Sequence, residues 1–324
     1  MKRKWIKWVS WILLTPLILF VILMVLLYIP PVQNFLRKEA AAYASEATGM
    51  QINVRRIDLR FPLNLLVRGV EVIQAPDTLL SLESLNVHVQ ALPLFRGKVE
   101  VDDISLQQVA VNSANLIDGM LLKGFLGSFR LESHGVDLPN EIAIINRAEL
   151  SDTHVQLLLN DTTATPKDTA QSEVRWKVDL RHLKLKNVSF SMQLPADSMR
   201  LAAHVGEAQV NDAEADLKNL HYGLRSFLVS GTSVNYDVRT AEPAEGFDPS
   251  HIALRDIRIG LDSMYYRGRN MNAVIREFSM NDRSGLSVTS LTGRVFANDT
   301  IIQVPSLKLL TPHSEMDLTA QTYW

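Results

Sequence analysis

From residue 50 onward, apolar residues fall on every second position rather than on every third or fourth. Leu85, Val87, Val89 and Ala91 alternate with Ser84, Asn86, His88 and Gln90. Val155, Leu157 and Leu159 repeat the pattern, followed by Val174, Trp176, Val178 and Leu180. Met199, Leu201, Ala203 and Val205 continue it, and Val234, Tyr236 and Val238 close the series. A period of two sends successive side chains to opposite faces of an extended strand, so these segments are strands with one apolar and one wetted face. Helical spacing is scarce in this region. Leu121, Leu122, Phe125, Leu126 and Phe129 carry its best instance and predict a short connecting helix.

Within the strands the alternation slips by one residue at defined places. Two alternating apolar residues are followed by two non-apolar ones and then by two more alternating apolar residues. The pattern occurs at Leu65, Val67, Val70 and Val72, and again at Val99, Val101, Ile104 and Leu106. It returns at Leu183, Leu185, Val188 and Phe190, then at Ile252, Leu254, Ile257 and Ile259, and last at Ile302, Val304, Leu307 and Leu309. An uncorrected slip would turn every later side chain to the wrong face, so each site requires a bulge or a tight bend. Strands that bend repeatedly while keeping one face apolar are expected. The irregular spacing makes this a loose repeat rather than a fixed-period solenoid.

Polar interruptions at Asn160 to Ser172 and at Ala241 to Ser250 read as surface loops between sheet segments. Met316, Leu318 and Ala320 still alternate close to Tyr323 and Trp324, which suggests the N-terminal part of a longer chain, although a strand can also close a protein.

The N-terminal segment has a different texture. Trp11 to Ile29 is nineteen residues without a charge, and fourteen of them are Leu, Ile, Val or Phe. As a helix this run spans about 28 Å, close to the thickness of a bilayer's hydrocarbon core. Those fourteen side chains favour insertion by roughly 4 to 8 kcal/mol. Trp5, Trp8 and Trp11 at one boundary and Tyr28 at the other suit the headgroup layer. Membrane-anchor residues are Trp11, Leu14, Leu17, Phe20, Leu23, Leu26 and Ile29. A cleaved signal peptide is the competing reading, but the run is long for one and Tyr28-Ile29-Pro30-Pro31 is a poor cleavage site. Lys2, Arg3, Lys4 and Lys7 predict a cytoplasmic N-terminus and an exported remainder. Beyond the run, Val32, Phe35, Leu36, Ala40, Tyr43 and Ala47 follow helical spacing, with Pro31 suited to a first turn and Gly49 to a C-terminal cap.

The organisation read from these signals is a basic cytoplasmic tail over 1–10, a transmembrane helix over 11–29, a short amphipathic helix over 30–49 and a β-rich periplasmic region over 50–324. The four early cations account for +4 of a total of −2, so the remainder carries −6. A mildly acidic body without a basic patch argues against nucleic acid as a partner. With no cysteine, disulfides, thiolate catalysis and thiolate-ligated zinc are excluded. No phosphate loop, dinucleotide fingerprint, His-Glu-x-x-His or nucleophile elbow is present, so neither an enzyme nor a cofactor is expected. The eight histidines are scattered without ligand spacing and read as surface or strand-face residues. Asp212, Glu214 and Asp216 alternate with Ala213 and Ala215, as on the wetted face of a strand.

Several segments resemble the opening of AsmA-like and TamB proteins. These are the apolar run with its short helix, Thr48 to Leu59 (TGMQINVRRIDL), and Leu92 to Val101 (LPLFRGKVEV) leading into Ile104, Leu106, Val109 and Val111. The likeness covers roughly residues 1 to 112 and continues afterwards in texture only. It implies a mainly β protein in which the N-terminal transmembrane helix and short helix precede a long, curved groove of bulged strands (a β-taco, or open half-barrel). It implies anchoring in the bacterial inner membrane and a part in outer-membrane biogenesis. The partners implied are phospholipid along the groove and an outer-membrane assembly protein.

Candidate groove-lining residues are Leu85, Val87, Val89, Val99, Val101, Val178, Leu183, Leu185, Leu254, Ile257, Val304 and Leu307. Periodicity alone does not separate an open groove from the sealed core of a sandwich or barrel, since both need one apolar face. The resemblance favours the groove. An alternative function is a structural module that pairs with a partner through its exposed sheet edges.

Overall fold

Alternating residues pair edge to edge into one open sheet of fifteen strands that does not close on itself. The computed structural model describes residues 29–60, 64–90, 101–114, 116, 118–137, 140–160 and 175–323. A helix, α1 (Pro30–Thr48), precedes β1 (Gln51–Arg60), β2 (Asn64–Gln74), β3 (Asp77–Val89) and β4 (Val101–Asn112). The long central strands are β5 (Met120–Asp137), β6 (Ile142–Leu159), β7 (Lys177–Leu194), β8 (Met199–Asp216), β9 (His221–Val238) and β10 (His251–Arg267). Shorter strands follow: β11 (Asn270–Asp282), β12 (Ser287–Val288), β13 (Ser290–Ala297), β14 (Ile301–Leu310) and β15 (Glu315–Tyr323). Each strand lies beside its predecessor in the chain, except β13, which pairs with β11; the two-residue β12 pairs with β11 alone. Every pairing is antiparallel except β6 with β7, which run parallel from Ile142 opposite Lys177 to Leu158 opposite Gln193.

All five slips read from the sequence coincide with irregularities of the strands, in those parts that lie among the described residues. In β2 the pairs Val67–Leu85 and Val70–Leu82 flank Gly69, which takes a left-handed backbone. In β4 the register shifts at Asp102, between Val89–Val101 and His88–Asp103. Asn187 interrupts β7, residues 255–256 interrupt β10 in its ladder with β9, and Pro305 with Ser306 interrupts β14 in its ladder with β15.

These sites belong to a feature that single-strand patterns do not reveal. One inserted residue per strand lies at the same level from β1 to β9. Arg55, Gly69, Glu83, Gln108, Gly127, Asp152, Asn187, Gly206 and Gly231 form no ladder pair, while the residues on both sides of each do. Because neighbouring strands slip together, register survives and the apolar residues before and after the slip stay on one face. Asp256 continues the row into β10. Gly69, Gln108, Asp152, Asn187, Gly231 and Asp256 hold positive φ. Five of the six are Gly, Asn or Asp, the residues for which that conformation costs least. Thr153 and Thr232 each donate a side-chain hydrogen bond back over such a residue, to Ser151 O at 3.1 Å and Ser230 O at 3.4 Å.

The helix expected over 121–129 is a correction. Those residues lie in β5, where Leu122, Leu126 and Phe129 occupy the apolar face and Leu121 and Phe125 the other. Gly127 is inserted between Leu126 and Phe129, and the resulting spacing of three imitates a helical period. Phe125 stacks on His154 of β6, ring centroids 5.5 Å apart.

The short helix expected over 30–49 is observed over Pro30–Thr48, with Gly49 as its left-handed cap at φ 68°. Its contacts differ from the amphipathic expectation. Polar residues, not the apolar ones, face the sheet: Arg37 Nη1 donates to Val54 O at 3.2 Å and Arg55 O at 3.3 Å. Gln33 Nε2 reaches Leu59 O at 3.5 Å, and Ser45 Oγ accepts from the Ile52 N–H at 3.0 Å. Thus α1 runs antiparallel to β1 along its free edge and satisfies backbone groups that would otherwise invite another strand. Trp11, Leu14, Leu17, Phe20, Leu23 and Leu26 lie outside the described residues, and Ile29 is the extended residue that precedes α1. Among the described residues no helix is long and apolar enough to cross a membrane.

Candidate functional site, the apolar face of the sheet

Directly opposed residues in a ladder project to the same side, so successive register pairs trace rows across the sheet. One row starts at Leu59 and passes through Leu65, Val87, Ile104, Leu131, Ala148 and Leu183. It goes on through Val210, Phe227, Leu261, Ile275, Gly293 and Leu307 to Leu318 of β15. Fourteen strands contribute and no polar side chain interrupts the row. At about 4.8 Å per strand its contour is roughly 60 Å. Gly293 supplies its single gap, because a Cβ there would meet the Leu307 Cα at 2.9 Å.

A second row runs parallel to the first: Ile57, Val67, Leu85, Leu106, Phe129, Leu150, Leu185, Ala208, Val229, Ile259 and Phe278. A third joins Ala143, Val178, Ala215, Tyr222, Tyr266, Met271, Ala297 and Ile302. In that row the Tyr222 and Tyr266 rings stack with centroids 6.3 Å apart.

Of the candidate lining residues, Leu85, Val87, Leu183, Leu185, Val178 and Leu307 fall on these three rows. Val89 pairs with Val101, Leu254 with Val234, Ile257 with Thr232 and Val304 with Ala320, all on the same face. Val99 lies outside the described residues. Sequence reasoning missed Leu59, Leu131, Phe227 and Ile275, whose positions in the row emerge only from register.

This face has no partner layer among the described residues. Substantial contacts between elements join only strands adjacent in the sheet, together with α1 and β1. Among the described residues only nine apolar ones are buried; five of them are alanines, and no large side chain is fully enclosed. A sandwich or barrel of this length would enclose a dense core, so the sealed-core alternative fails. The apolar rows are half-exposed.

Apart from residues such as Leu121 and Phe125, the opposite face is polar and ion-paired across strands. Lys177 meets Asp216 at 3.3 Å, Lys184 meets Glu207 at 3.1 Å, Arg267 meets Glu214 at 2.7 Å and Arg276 meets Asp262 at 3.1 Å. Arg225 pairs with Asp212. The alternating acids of β8 are thus each matched by a cation, Asp212 by Arg225 of β9, Asp216 by Lys177 of β7 and Glu214 by Arg267 at the end of β10, two strands away. Side-chain and backbone hydrogen bonds from Asn219 hold the Asp216 carboxyl below the usual carboxylate range. Each exposed pair contributes little to stability, but together they mark this side as the wetted one. The Gln209 amide, ahead of Lys184, likewise lowers Glu207.

His251 departs from the picture of exposed histidines. It is buried at the start of β10, with Nδ1 2.8 Å from Asp248 Oδ2 and Nε2 3.7 Å from Asp237 Oδ1. Asp248 also accepts from the Ala244 and Ser250 backbone N–H groups, so the cluster organises the loop before β10. Among the described residues no group of His, Asp and Glu converges on a metal-binding arrangement.

No family model matches the chain, and no curated protein matches it.

Proposed function

We propose that this chain is an inner-membrane-anchored protein of the bacterial envelope whose open sheet carries phospholipid acyl chains along its apolar face. The observation that carries the reading is the row from Leu59 to Leu318, apolar across fourteen strands and uncovered by any of the described residues. An acyl chain laid on such a surface gains about 0.8 kcal/mol for each methylene removed from water. The polar headgroup stays in solvent at the sheet margin. Half-exposed rows suit a passing ligand better than a sealed core would, because a sliding chain must enter and leave without unfolding anything.

The uncharged run Trp11 to Ile29 and the basic residues before it support anchoring with the sheet exported. The resemblance to AsmA-like and TamB proteins supports a curved groove, a β-taco, and a role in outer-membrane biogenesis. A second reading has its own observation. All nine residues of β15 are exposed and, among the described residues, its far edge is unpaired, as a strand-pairing partner such as an outer-membrane assembly protein would require.

Native mass spectrometry of the full chain, released from nanodiscs, tests the first reading. Bound phospholipid is expected on the unaltered protein and is expected to be several-fold depleted in a Leu183→Asp variant, which interrupts the row at its centre. Equal lipid retention by the two proteins would overturn the conduit and favour the strand-pairing module.

A further inference from the structure

We infer that α1 lies in the interfacial layer of the membrane, with Ile29, Leu36 and Tyr43 seated among the lipid headgroups and first methylenes, and that it holds the β1 edge of the sheet against the bilayer. The inference rests on the anchored reading proposed above.

Two sides of this helix are used differently. Gln33, Arg37 and Ser45 fall on a line of four-residue steps and clamp the β1 edge. Ile29, Leu36 and Tyr43 fall on a line of seven-residue steps on another side, and they are 38, 36 and 77% exposed. Phe35 beside them is 60% exposed. Nothing among the described residues covers these side chains, and a contiguous patch of large apolar groups on a surface marks a contact.

Connectivity selects the occupant. The uncharged run ends at Ile29 and α1 begins at Pro30, so no linker separates the helix from the bilayer. Ile29 is extended, with φ −75° and ψ 123°, and Pro30 follows it. α1 therefore begins as a helix of its own at Pro30, directly after the uncharged run in the sequence. A helix that starts at the headgroup layer, with one side held by the sheet edge and an apolar stripe on its free side, lies along the surface. Glu39 and Glu46 flank the stripe and keep the seating shallow. Because α1 runs along β1, the apolar rows then begin at the membrane and lead away from it across the width of the sheet.

The chain has no cysteine, so single labels report cleanly. Leu36→Cys, Tyr43→Cys and Lys38→Cys variants of the full chain would be labelled with an environment-sensitive fluorophore. Each would be reconstituted in vesicles of phosphatidylethanolamine and phosphatidylglycerol carrying a lipid-attached quencher. Quenching several-fold stronger at positions 36 and 43 than at the exposed position 38 is the expected result. Equal quenching at the three positions would overturn the inference. Disulfide formation between the Leu36→Cys residues of two chains would also overturn it, by assigning the stripe to a second copy. Alkaline carbonate washing of the same vesicles separates the two levels of the argument. Release of the protein would overturn the anchored reading and this inference with it. Retention without quenching at 36 and 43 would overturn this inference alone.

Discussion

Asn187 and Asp152 face each other across the parallel junction of β6 and β7, both in left-handed backbone at φ 53° and 52°, and the Asn187 amide donates to Asp152 Oδ1 at 2.7 Å. The junction is where the antiparallel meander is interrupted, yet the row of inserted residues crosses it without a break. On the other side of Asp152, Gly127 leaves no room: a Cβ there would come within 2.8 Å of the Asp152 Cβ and 2.9 Å of its carbonyl oxygen. The row is thus held by backbone conformation on one strand and by the absence of a side chain on the next. Asn187→Val, which adds a β-branch in a left-handed position and removes the hydrogen bond, should destabilise by about 1–3 kcal/mol. Asn187→Gly should cost less, and Gly127→Ala about as much as the valine. Chemical denaturation gives the ordering, and a Gly124→Ala control, whose Cβ meets only ordinary contacts at 3.6 Å, should be the mildest of the four.

The apolar face predicts an asymmetry between adjacent residues of β3. Val87 lies in the row between Leu65 and Ile104, while His88 points to the wetted side between Asn64 and Asp103. Val87→Asp should lower stability by about 1–2 kcal/mol, less than in a sealed core because the carboxylate keeps access to water. It should nevertheless abolish lipid capture at that point of the row. His88→Gln should leave both unchanged. A negative charge at position 88 is not a neutral control, since it would stand directly opposite Asp103. Thermal melts combined with lipid retention check the pair.

Removal of the helix clamp should act locally. Arg37→Ala deletes the hydrogen bonds to Val54 O and Arg55 O, so the β1 edge loses cover while the rest of the sheet keeps its ladders. Hydrogen exchange should accelerate in β1 by one to two orders of magnitude, corresponding to about 1–3 kcal/mol of local opening energy, and stay unchanged from β3 onward. Uniform acceleration through the sheet would show that the clamp supports the whole fold rather than one edge.

The loop before β10 carries a pH signature. The Ala244 N–H, aided by His251 and the Ser250 N–H, holds the Asp248 carboxyl below the usual carboxylate range despite its burial. A lowered folded-state value means that the stabilisation is complete above the unfolded value, about 3.9, and is lost as pH falls through the lowered one. Amide protection over residues 244–251 should therefore be flat from neutrality down to about pH 4 and decline only below it. Asp248→Asn should remove the acid-dependent decline. Loss of protection already near neutrality would assign the control to another group.

The strands were legible because one wetted face writes a period of two into the sequence. The slips were legible wherever two apolar pairs bracketed them, as at Leu185 and Val188. They were hidden where the neighbours are polar or glycine, as at Gly206 and Gly231, and in β5 the slip beside Gly127 imitated a helix. The candidate face was readable residue by residue, but its continuity was not. That Leu183 leads to Val210 and Phe227 depends on register between strands, which local patterns do not encode. The parallel junction left no local signal either, because a strand reads alike in both directions. For α1 the apolar spacing was clear, but the side that touches the sheet is polar. The four-residue steps from Gln33 to Arg37 and from Arg37 through Ala41 to Ser45 were the available clue.

The account stands on whether lipid travels along the apolar rows, and photo-crosslinking in living cells tests that most directly. Crosslinkers placed at Val178, Leu254 and Val304 stand on the apolar face, and those at Lys177, Arg255 and Gln303 stand on the wetted one. The account predicts phospholipid adducts from the first set and none from the second. Adducts from the wetted set only, or none from either, would contradict it.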